Sequence, residues 1–123
     1  MREQKADIML IGAEPAGSAV LNGGAPGPHG LQGIGAGFVP RIFDSSLVDK
    51  NIFVSFNEAV YYSRLLAREY GIMAGISSGA AAFAARILSA RHGNEGKNIV
   101  ILLPDGGDRY YSTTLFDNCN LTS

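Results

Sequence analysis

The chain has 123 residues, of which 46% are hydrophobic and 17% charged, and its net charge at pH 7 is −1. This composition predicts one globular unit with a hydrophobic core, and the near-zero charge argues against nucleic acid or anionic membranes as partners. The single cysteine, Cys119, excludes an internal disulfide and a cysteine-based zinc site, and we expect no metal. The first apolar run, Ile8–Ile11, is too short for a secretory signal, so we expect a cytoplasmic protein without membrane segments.

The first part of the sequence predicts a buried strand followed by a long loop. The run Ile8–Ala13 is continuously apolar, which is typical of a strand covered on both faces of a parallel sheet. The stretch Gly17–Pro40 contains eight glycines and three prolines, so we expect little regular structure there. Its apolar side chains predict that the loop packs against the rest of the domain; they are Leu31, Ile34, Phe38 and Val39.

A second strand and a capped helix follow this loop. Ile52–Val54 has the composition of a short buried strand. Ser55 comes next, and Glu58 stands three residues later, which is the spacing of a capping box at the start of a helix. Gly71 is suited to end that helix, because glycine adopts the left-handed conformation that helix ends favour.

The remaining part predicts a buried helix and a final strand. Ser77 or Ser78 is expected to cap a second helix, from Gly79 to about Ala90, whose many alanines indicate close packing in the interior. Asn98–Leu103 is the clearest strand of the whole chain by its apolar run. Strands that alternate with helices predict an α/β fold, with a mainly parallel sheet and flanking helices.

Ser77 lies at the centre of a G-x-S-x-G pattern, which presents the nucleophile in α/β-hydrolases. Those enzymes need an acid and then a histidine after the serine, but no acid separates Ser77 from the only later histidine, His92. His92 also ends the helix that Ser77 begins, about 18 Å away at the rise of an α-helix. Two alternatives remain for Ser77: a helix cap that needs no ligand, or a hydroxyl directed into a ligand cleft at a strand end.

Three stretches of the sequence resemble one enzyme family. They are "EPAGSAVLNGGAPGPHGLQGIGAGFVP", "NEAV…RLLAREYGIMAGISSGAAAFAA" and "NIVILLPDGGDRYYST". Together they resemble the C-terminal part of cysteine synthase (O-acetylserine sulfhydrylase), a fold-type-II, tryptophan-synthase-β-like pyridoxal-phosphate enzyme. The resemblance extends from about Ala6 to Asp117, and "PHGLQGIGAGFVP" and "GISSGAA" distinguish this branch from the related cystathionine β-synthases. It implies that residues 1–123 form a single partial domain with a partial, mainly parallel sheet.

The resemblance also implies a set of site residues. In this family the first serine of "GISSG", here Ser77, hydrogen-bonds the pyridine nitrogen of pyridoxal 5'-phosphate. A neutral hydroxyl leaves that nitrogen mostly unprotonated, which moderates carbanion stabilisation and suits elimination of a β-acetoxy group. The loop Gly33–Phe38 lines the substrate cleft in the family, and glycines let the backbone approach the substrate closely. The cleft-lining residues implied for this chain are Gly33, Ile34, Gly35 and Ala36.

Other parts of the family's site fall outside the matched residues. Its Schiff-base lysine and its phosphate-binding loop belong to the preceding part of the family's chain, and none of Lys5, Lys50 and Lys97 lies in a similar motif. We therefore expect no catalytic residue in this chain. The family's final loop lies near the cofactor ring, and here it carries Asp105 where a serine is common.

Two functions stay open at this point. In the first, the chain is a C-terminal fragment of a cysteine synthase, which converts O-acetylserine and sulfide into cysteine and acetate, and it is inactive alone. In the second, it is a noncatalytic module that binds a complementary or full-length chain through an uncovered sheet edge. The family forms homodimers and acts on small molecules. Residues 118–123 are predicted to form a flexible tail.

Overall fold

A computed structural model of the chain describes residues 3–5, 7–110 and 115. The tail predicted at 118–123 and Cys119 lie outside the described residues. The described part contains two strands and two α-helices: β1 (Ile11–Pro15), β2 (Lys50–Val54), α1 (Phe56–Tyr70) and α2 (Ile76–Ser89). Short 3₁₀ turns in this part of the chain lie at Val20–Asn22, Ser45–Leu47 and Gly107–Tyr110.

The two strands pair in parallel, which confirms the predicted α/β class. The register runs from Ile11 opposite Lys50 to Pro15 opposite Val54. β1 therefore lies about three residues later than the apolar run Ile8–Ala13 indicates. Hydropathy marks burial, whereas a strand is defined by its pairing, and the paired register of the two strands begins with Ile11 opposite Lys50.

α1 begins and ends as its sequence predicts. The Glu58 backbone N–H donates to Ser55 Oγ at 3.2 Å, and the Ser55 backbone N–H donates to Glu58 Oε2 at 2.8 Å. This reciprocal pair satisfies donors that have no partner inside the helix. Gly71 ends the helix in the left-handed conformation, with φ 68°, and its N–H donates to the Ala67 carbonyl at 3.1 Å.

The prediction that Ser77 or Ser78 caps the second helix is wrong. α2 begins at Ile76, its N-cap residue is Gly75, and no side chain caps it there. Both serines lie in the first turn of the helix and are buried. The preceding chain is held instead by backbone contacts with residues 104–110, called the final loop here. The Gly75 N–H donates to the Asp105 carbonyl at 3.3 Å. This pairing fixes where the helix starts.

α1 and α2 pack with their backbones in direct contact. A Cβ at Gly79 would collide with the Ala59 carbonyl oxygen and would lie 2.8 Å from the Ser63 backbone nitrogen. Ser63 also donates from its hydroxyl to the Ala74 carbonyl at 2.7 Å, which ties α1 to the residues before α2. The predicted close packing of the alanine-rich helix is confirmed, because a glycine and small neighbours allow it.

The strand predicted at Asn98–Leu103 is absent, and this prediction is wrong. The segment is not part of the sheet, and Val100 and Leu102 are 92% and 79% exposed. A strand buried on both faces needs neighbouring strands, whereas the sheet in the described part of the chain consists of β1 and β2 alone. The apolar run is present, but the described residues supply no neighbouring strands with which it could pair.

The glycine-rich loop packs against the core with part of its length. Leu31 is 1% exposed, and Ile34 contacts the buried cluster from its edge. Phe38 and Val39, which were expected to pack as well, are 63% and 51% exposed. The buried cluster joins this loop to β2, to both helices and to the final loop; its members are Leu31, Val54, Ala59, Ile76, Ala80, Tyr110 and Leu115.

Candidate functional site

The start of α2 presents two buried serine hydroxyls. Ser77 is 7% exposed, and its hydroxyl takes part in none of the side-chain hydrogen bonds of the described residues. Ser78 is fully buried, and its hydroxyl is also without a hydrogen-bond partner. Buried hydroxyls normally have partners, so the start of α2 holds polar groups that the described protein leaves unused. Of the two, Ser77 retains a small exposed fraction and can meet an external partner.

The loop expected to line the cleft turns sharply on its glycines. Gly33, Gly35 and Gly37 have φ values of 89°, 68° and 80°, which side chains other than glycine rarely adopt. Gly35 is also crowded, because a Cβ there would lie 2.5 Å from Pro15 Cγ and 2.6 Å from His29 Nε2. Ile34 is half-buried and Ala36 is exposed. The loop therefore presents backbone on its accessible side.

The hydrophobic cluster brings the cleft-lining loop Gly33–Phe38, called the glycine loop below, and the start of α2 to the same part of the molecule. Ile34 packs against the cluster to which Ile76 belongs, and Ile76 directly precedes Ser77. The cluster also contains Val54, the last residue of β2, so all three elements contribute to one cluster that includes the carboxyl end of a parallel strand. Open α/β folds bind ligands at such strand ends.

The final loop contributes a contact that sequence reasoning missed. The Tyr110 hydroxyl donates to Asp105 Oδ2 at 2.8 Å, while Asp105 Oδ1 is buried and has no hydrogen-bond partner. Burial raises the pKa of Tyr110 to about 12, and the hydrogen bond and negative charge of Asp105 act in the same direction. A Cβ at Gly75 would collide with Asp105 Oδ1 and with the Tyr110 ring. The two side chains thus lie directly against the start of α2.

This arrangement supports the start of α2 electrostatically. The first N–H groups of a helix lack partners inside it and carry partial positive charge. Asp105 places a carboxylate there from another segment, and Ile76 makes a backbone hydrogen bond to Tyr110. The contact joins residues that are about thirty positions apart in sequence, and the only sequence signal for it is the glycine at position 75.

The hydrolase alternative finds no support in the described residues. His92 is fully exposed, and its Nδ1 lies 3.2 Å from Glu95 Oε1. Both ring nitrogens of His29 are engaged, one with the Leu31 N–H and the other with the Gly35 carbonyl. Neither imidazole is hydrogen-bonded to Ser77, and a nucleophilic serine needs such a base.

The described part of the chain provides neither a metal-binding cluster nor a membrane-spanning helix. Residues 3–5, 7–110 and 115 contain no group of three or more His, Cys, Asp or Glu side chains placed to hold a metal ion. Among the same residues, no helix combines the length and the apolar character needed to cross a bilayer.

Comparisons with known proteins agree on one family. The sequence profile described as "pyridoxal-phosphate dependent enzyme" matches residues 1–105. Cysteine synthase of Staphylococcus aureus is 46% identical over 116 residues, covering 94% of this chain and 37% of the relative. The chain therefore spans little more than a third of that relative's length.

Solved structures give the same result. Cysteine synthase from Entamoeba histolytica superposes with a TM-score of 0.92 at 47% identity, over 94% of this chain and 34% of that one. An O-acetylserine-dependent cystathionine β-synthase from Helicobacter pylori superposes with a TM-score of 0.82 at 42% identity, over 94% and 37%. These likenesses cover almost the whole described fold. The chain belongs to the pyridoxal-phosphate dependent enzyme family, as its resemblance to cysteine synthase implied.

Proposed function

We propose that residues 1–123 form a single partial domain, the C-terminal part of a cytoplasmic cysteine synthase. The whole enzyme would replace the acetoxy group of O-acetylserine by sulfide, giving cysteine and acetate. The observation that carries the proposal is the Ser77 hydroxyl, buried in the first turn of α2 and without a hydrogen-bond partner in the described chain. The identity of 46% to a cysteine synthase supports it.

Ser77 fits the ring end of pyridoxal 5'-phosphate. A hydroxyl can donate one hydrogen bond to a pyridine nitrogen, and it adds no charge. When bound, the cofactor supplies the electron sink that elimination at the β-carbon of an amino acid requires. The protein's part at this position is to orient the ring and to leave its nitrogen mostly unprotonated. A hydroxyl keeps its own proton, and it has no negative charge that would stabilise a pyridinium ion.

The glycine loop would line the substrate side of the same cleft. Gly33 has no atom within 4 Å of the position where its Cβ would be, so open space lies beside its backbone. Exposed backbone N–H groups of this kind can approach a small carboxylate closely. We assign the lining to Gly33, Ile34, Gly35 and Ala36. The Schiff-base lysine and the phosphate loop would come from the part of the enzyme that this chain does not cover, so no catalytic residue is assigned here.

The proposal is tested by cofactor binding in a reconstituted protein. The chain is co-expressed with the preceding part of the S. aureus enzyme, the part it does not match, and pyridoxal phosphate is titrated into the assembly. Ser77→Ala should weaken binding about fivefold, which corresponds to one neutral hydrogen bond. Ser78→Ala is the matched control, because that hydroxyl is buried without a partner and should leave the affinity unchanged. Equal affinity of the native and Ser77→Ala chains would refute the assignment.

A second function, an interaction module, is favoured by one observation. The segment Asn98–Leu103 carries large apolar side chains that the described residues do not cover, notably Val100 at 92% and Leu102 at 79% exposure. Isolated proteins seldom leave such a run open to water. We propose that its occupant is the complementary part of a related enzyme chain, since the solved relative contains about twice as much further chain as this one matches.

Co-purification tests this second function. A tagged copy of the preceding part of the S. aureus enzyme should retain the native chain and lose it on the double substitution Val100→Lys and Leu102→Lys. Ile42→Lys is the control, because Ile42 is 95% exposed and lies outside the segment. Retention of the doubly substituted chain would contradict the assigned surface. A complex of two copies of this chain, without the complementary part, would instead favour a homodimer.

A further inference from the structure

His29 makes two hydrogen bonds that connect the glycine loop with the residues just before it. The Leu31 backbone N–H donates to His29 Nδ1 at 3.2 Å. His29 Nε2 lies 2.7 Å from the carbonyl oxygen of Gly35. The ring is half-buried, so both contacts are partly shielded from water. One side chain thus connects Leu31, two residues before the loop Gly33–Phe38, with Gly35 inside that loop.

These partners determine the tautomer of the ring. A carbonyl oxygen only accepts, so Nε2 must carry the hydrogen that it donates to Gly35. A backbone N–H only donates, so Nδ1 must present a lone pair to Leu31. Both conditions hold together only in the neutral ring with its hydrogen on Nε2. The protonated ring and the other neutral tautomer would each lose at least one of the two bonds.

Backbone geometry at Gly35 depends on the same contact. Gly35 has a φ of 68° and its carbonyl meets the ring, and a Cβ there would lie 2.6 Å from His29 Nε2 and 2.5 Å from Pro15 Cγ. The ring therefore lies where any other residue at position 35 would place its side chain. Glycine and histidine fit each other at this point, which keeps the neighbouring residues 33 to 36 in their tight turns.

We propose that His29, in its Nε2–H tautomer, is the positioning residue of the glycine loop, holding Leu31 and Gly35 at a fixed separation. The proposed function enters only in the statement that this loop lines a substrate cleft. His29 itself touches no reacting group in this account. Its role is to set the backbone of the loop before any ligand arrives.

Nitrogen-15 NMR of the imidazole rings tests the tautomer directly, without cofactor or activity. Spectra are recorded on the full chain at about pH 8, where an unperturbed imidazole is neutral. Magic-angle-spinning spectra of sedimented protein serve equally if the chain self-associates. His92→Gln identifies the signals of His29, since these are the two histidines of the sequence. We expect a protonated Nε2 and an unprotonated Nδ1 at His29. A ring with its hydrogen on Nδ1 would overturn the proposal.

Two isosteric substitutions separate the two contacts. Asparagine places an oxygen near the position of Nδ1, so His29→Asn should keep slow hydrogen exchange at the Leu31 amide while the Gly35 carbonyl signal shifts. Glutamine places an NH₂ group near Nε2, so His29→Gln should preserve the Gly35 signal instead. His29→Ala should lose both and accelerate Leu31 exchange about tenfold.

A purely space-filling role would give a different result. In that case the two isosteres would behave alike, and Leu31 exchange would not distinguish the native chain from His29→Ala. Either result would refute positioning by His29. The Ser77 assignment would be unaffected, because it is judged by cofactor affinity in the reconstituted assembly. His92 lies in the turn after α2 with its ring exposed, so His92→Gln should leave the loop signals unchanged.

Discussion

The Tyr110 hydroxyl donates a 2.8 Å hydrogen bond to Asp105, and both side chains lie against Gly75, the residue that precedes α2. The final loop thereby determines where the helix begins and how its first turn, with Ser77, is presented. The serine that we assign to the cofactor ring depends on a contact about thirty residues away in sequence. Changes in the Tyr110–Asp105 pair should therefore affect both stability and the site.

The alkaline stability of the chain should depend on Tyr110. Its pKa is raised from 10.0 to about 12, first by burial and then by Asp105, so the fold favours the neutral phenol. This contribution is complete below about pH 10 and is lost as the pH rises through about 12. We expect the free energy of unfolding, measured with urea, to fall over that range in the native chain. Tyr110→Phe should lack this component of the fall.

Two variants check the cause of this shift. Tyr70→Phe is the control, because that side chain is 70% exposed and should leave the alkaline profile unchanged. Asp105→Asn removes the charge and should lower the pKa of Tyr110, measured as tyrosinate absorbance during a pH titration. An unchanged Tyr110 titration in Asp105→Asn would contradict the described contact.

Gly79→Ala should destabilise the chain, although the same change usually stabilises a helix. Alanine is favoured over glycine by about 1 kcal/mol in a helix interior. Here, however, its methyl group would lie 2.8 Å from the Ser63 nitrogen and collide with the Ala59 carbonyl. We expect a net loss of about 1–3 kcal/mol in the free energy of unfolding, from forced separation of the helices. Ala82→Gly, at a half-buried position of the same helix, is the comparison for the propensity component. A gain in stability for Gly79→Ala would show that the helices are not in backbone contact.

Two glycines of the loop should differ in their tolerance of alanine. Gly33 and Gly35 both have positive φ, so each alanine costs about 1–2 kcal/mol from the backbone. Gly33 has open space around the added carbon, whereas at Gly35 it would meet His29 and Pro15. Gly35→Ala should therefore cost at least 1 kcal/mol more than Gly33→Ala in urea unfolding. Equal costs would mean that the ring and the proline are easily displaced.

The capping box of α1 gives a local stability test. Ser55→Ala removes the hydroxyl that accepts the Glu58 N–H, and we expect a loss of about 1 kcal/mol. Ser89→Ala is a suitable control, because that exposed hydroxyl contacts only the Arg86 carbonyl at 2.9 Å. A loss no larger than that of the control would show that the box contributes nothing to the fold.

Features determined by nearby residues were predictable from the sequence. Ser55 and Glu58 are three positions apart, so their capping box follows from local spacing, and Gly71 follows from its own backbone preference. The failed predictions for the start of α2 and for the final strand depend on distant contacts. The start of α2 is set by Asp105 and Tyr110. The apolar run 98–103 is not a strand, because the described residues provide no neighbouring strand for it.

The candidate site likewise has features that the sequence predicted and features that only the structure showed. The family of the chain was recognisable from its motifs, and comparison with known proteins confirmed it. The environment of Ser77 was not predictable, since an unpartnered buried hydroxyl is a property of packing. The tautomer of His29 also required the structure, because it follows from which backbone groups face each ring nitrogen.

The role of Ser77 is tested most directly at the ring nitrogen of the cofactor. Pyridoxal phosphate labelled with nitrogen-15 in the ring is bound to the chain assembled with the preceding part of the S. aureus enzyme. A hydrogen-bonded but unprotonated nitrogen is expected, whose NMR signal moves in Ser77→Ala and stays in place in Ser78→Ala. A protonated ring nitrogen, or a signal insensitive to Ser77→Ala, would contradict the account.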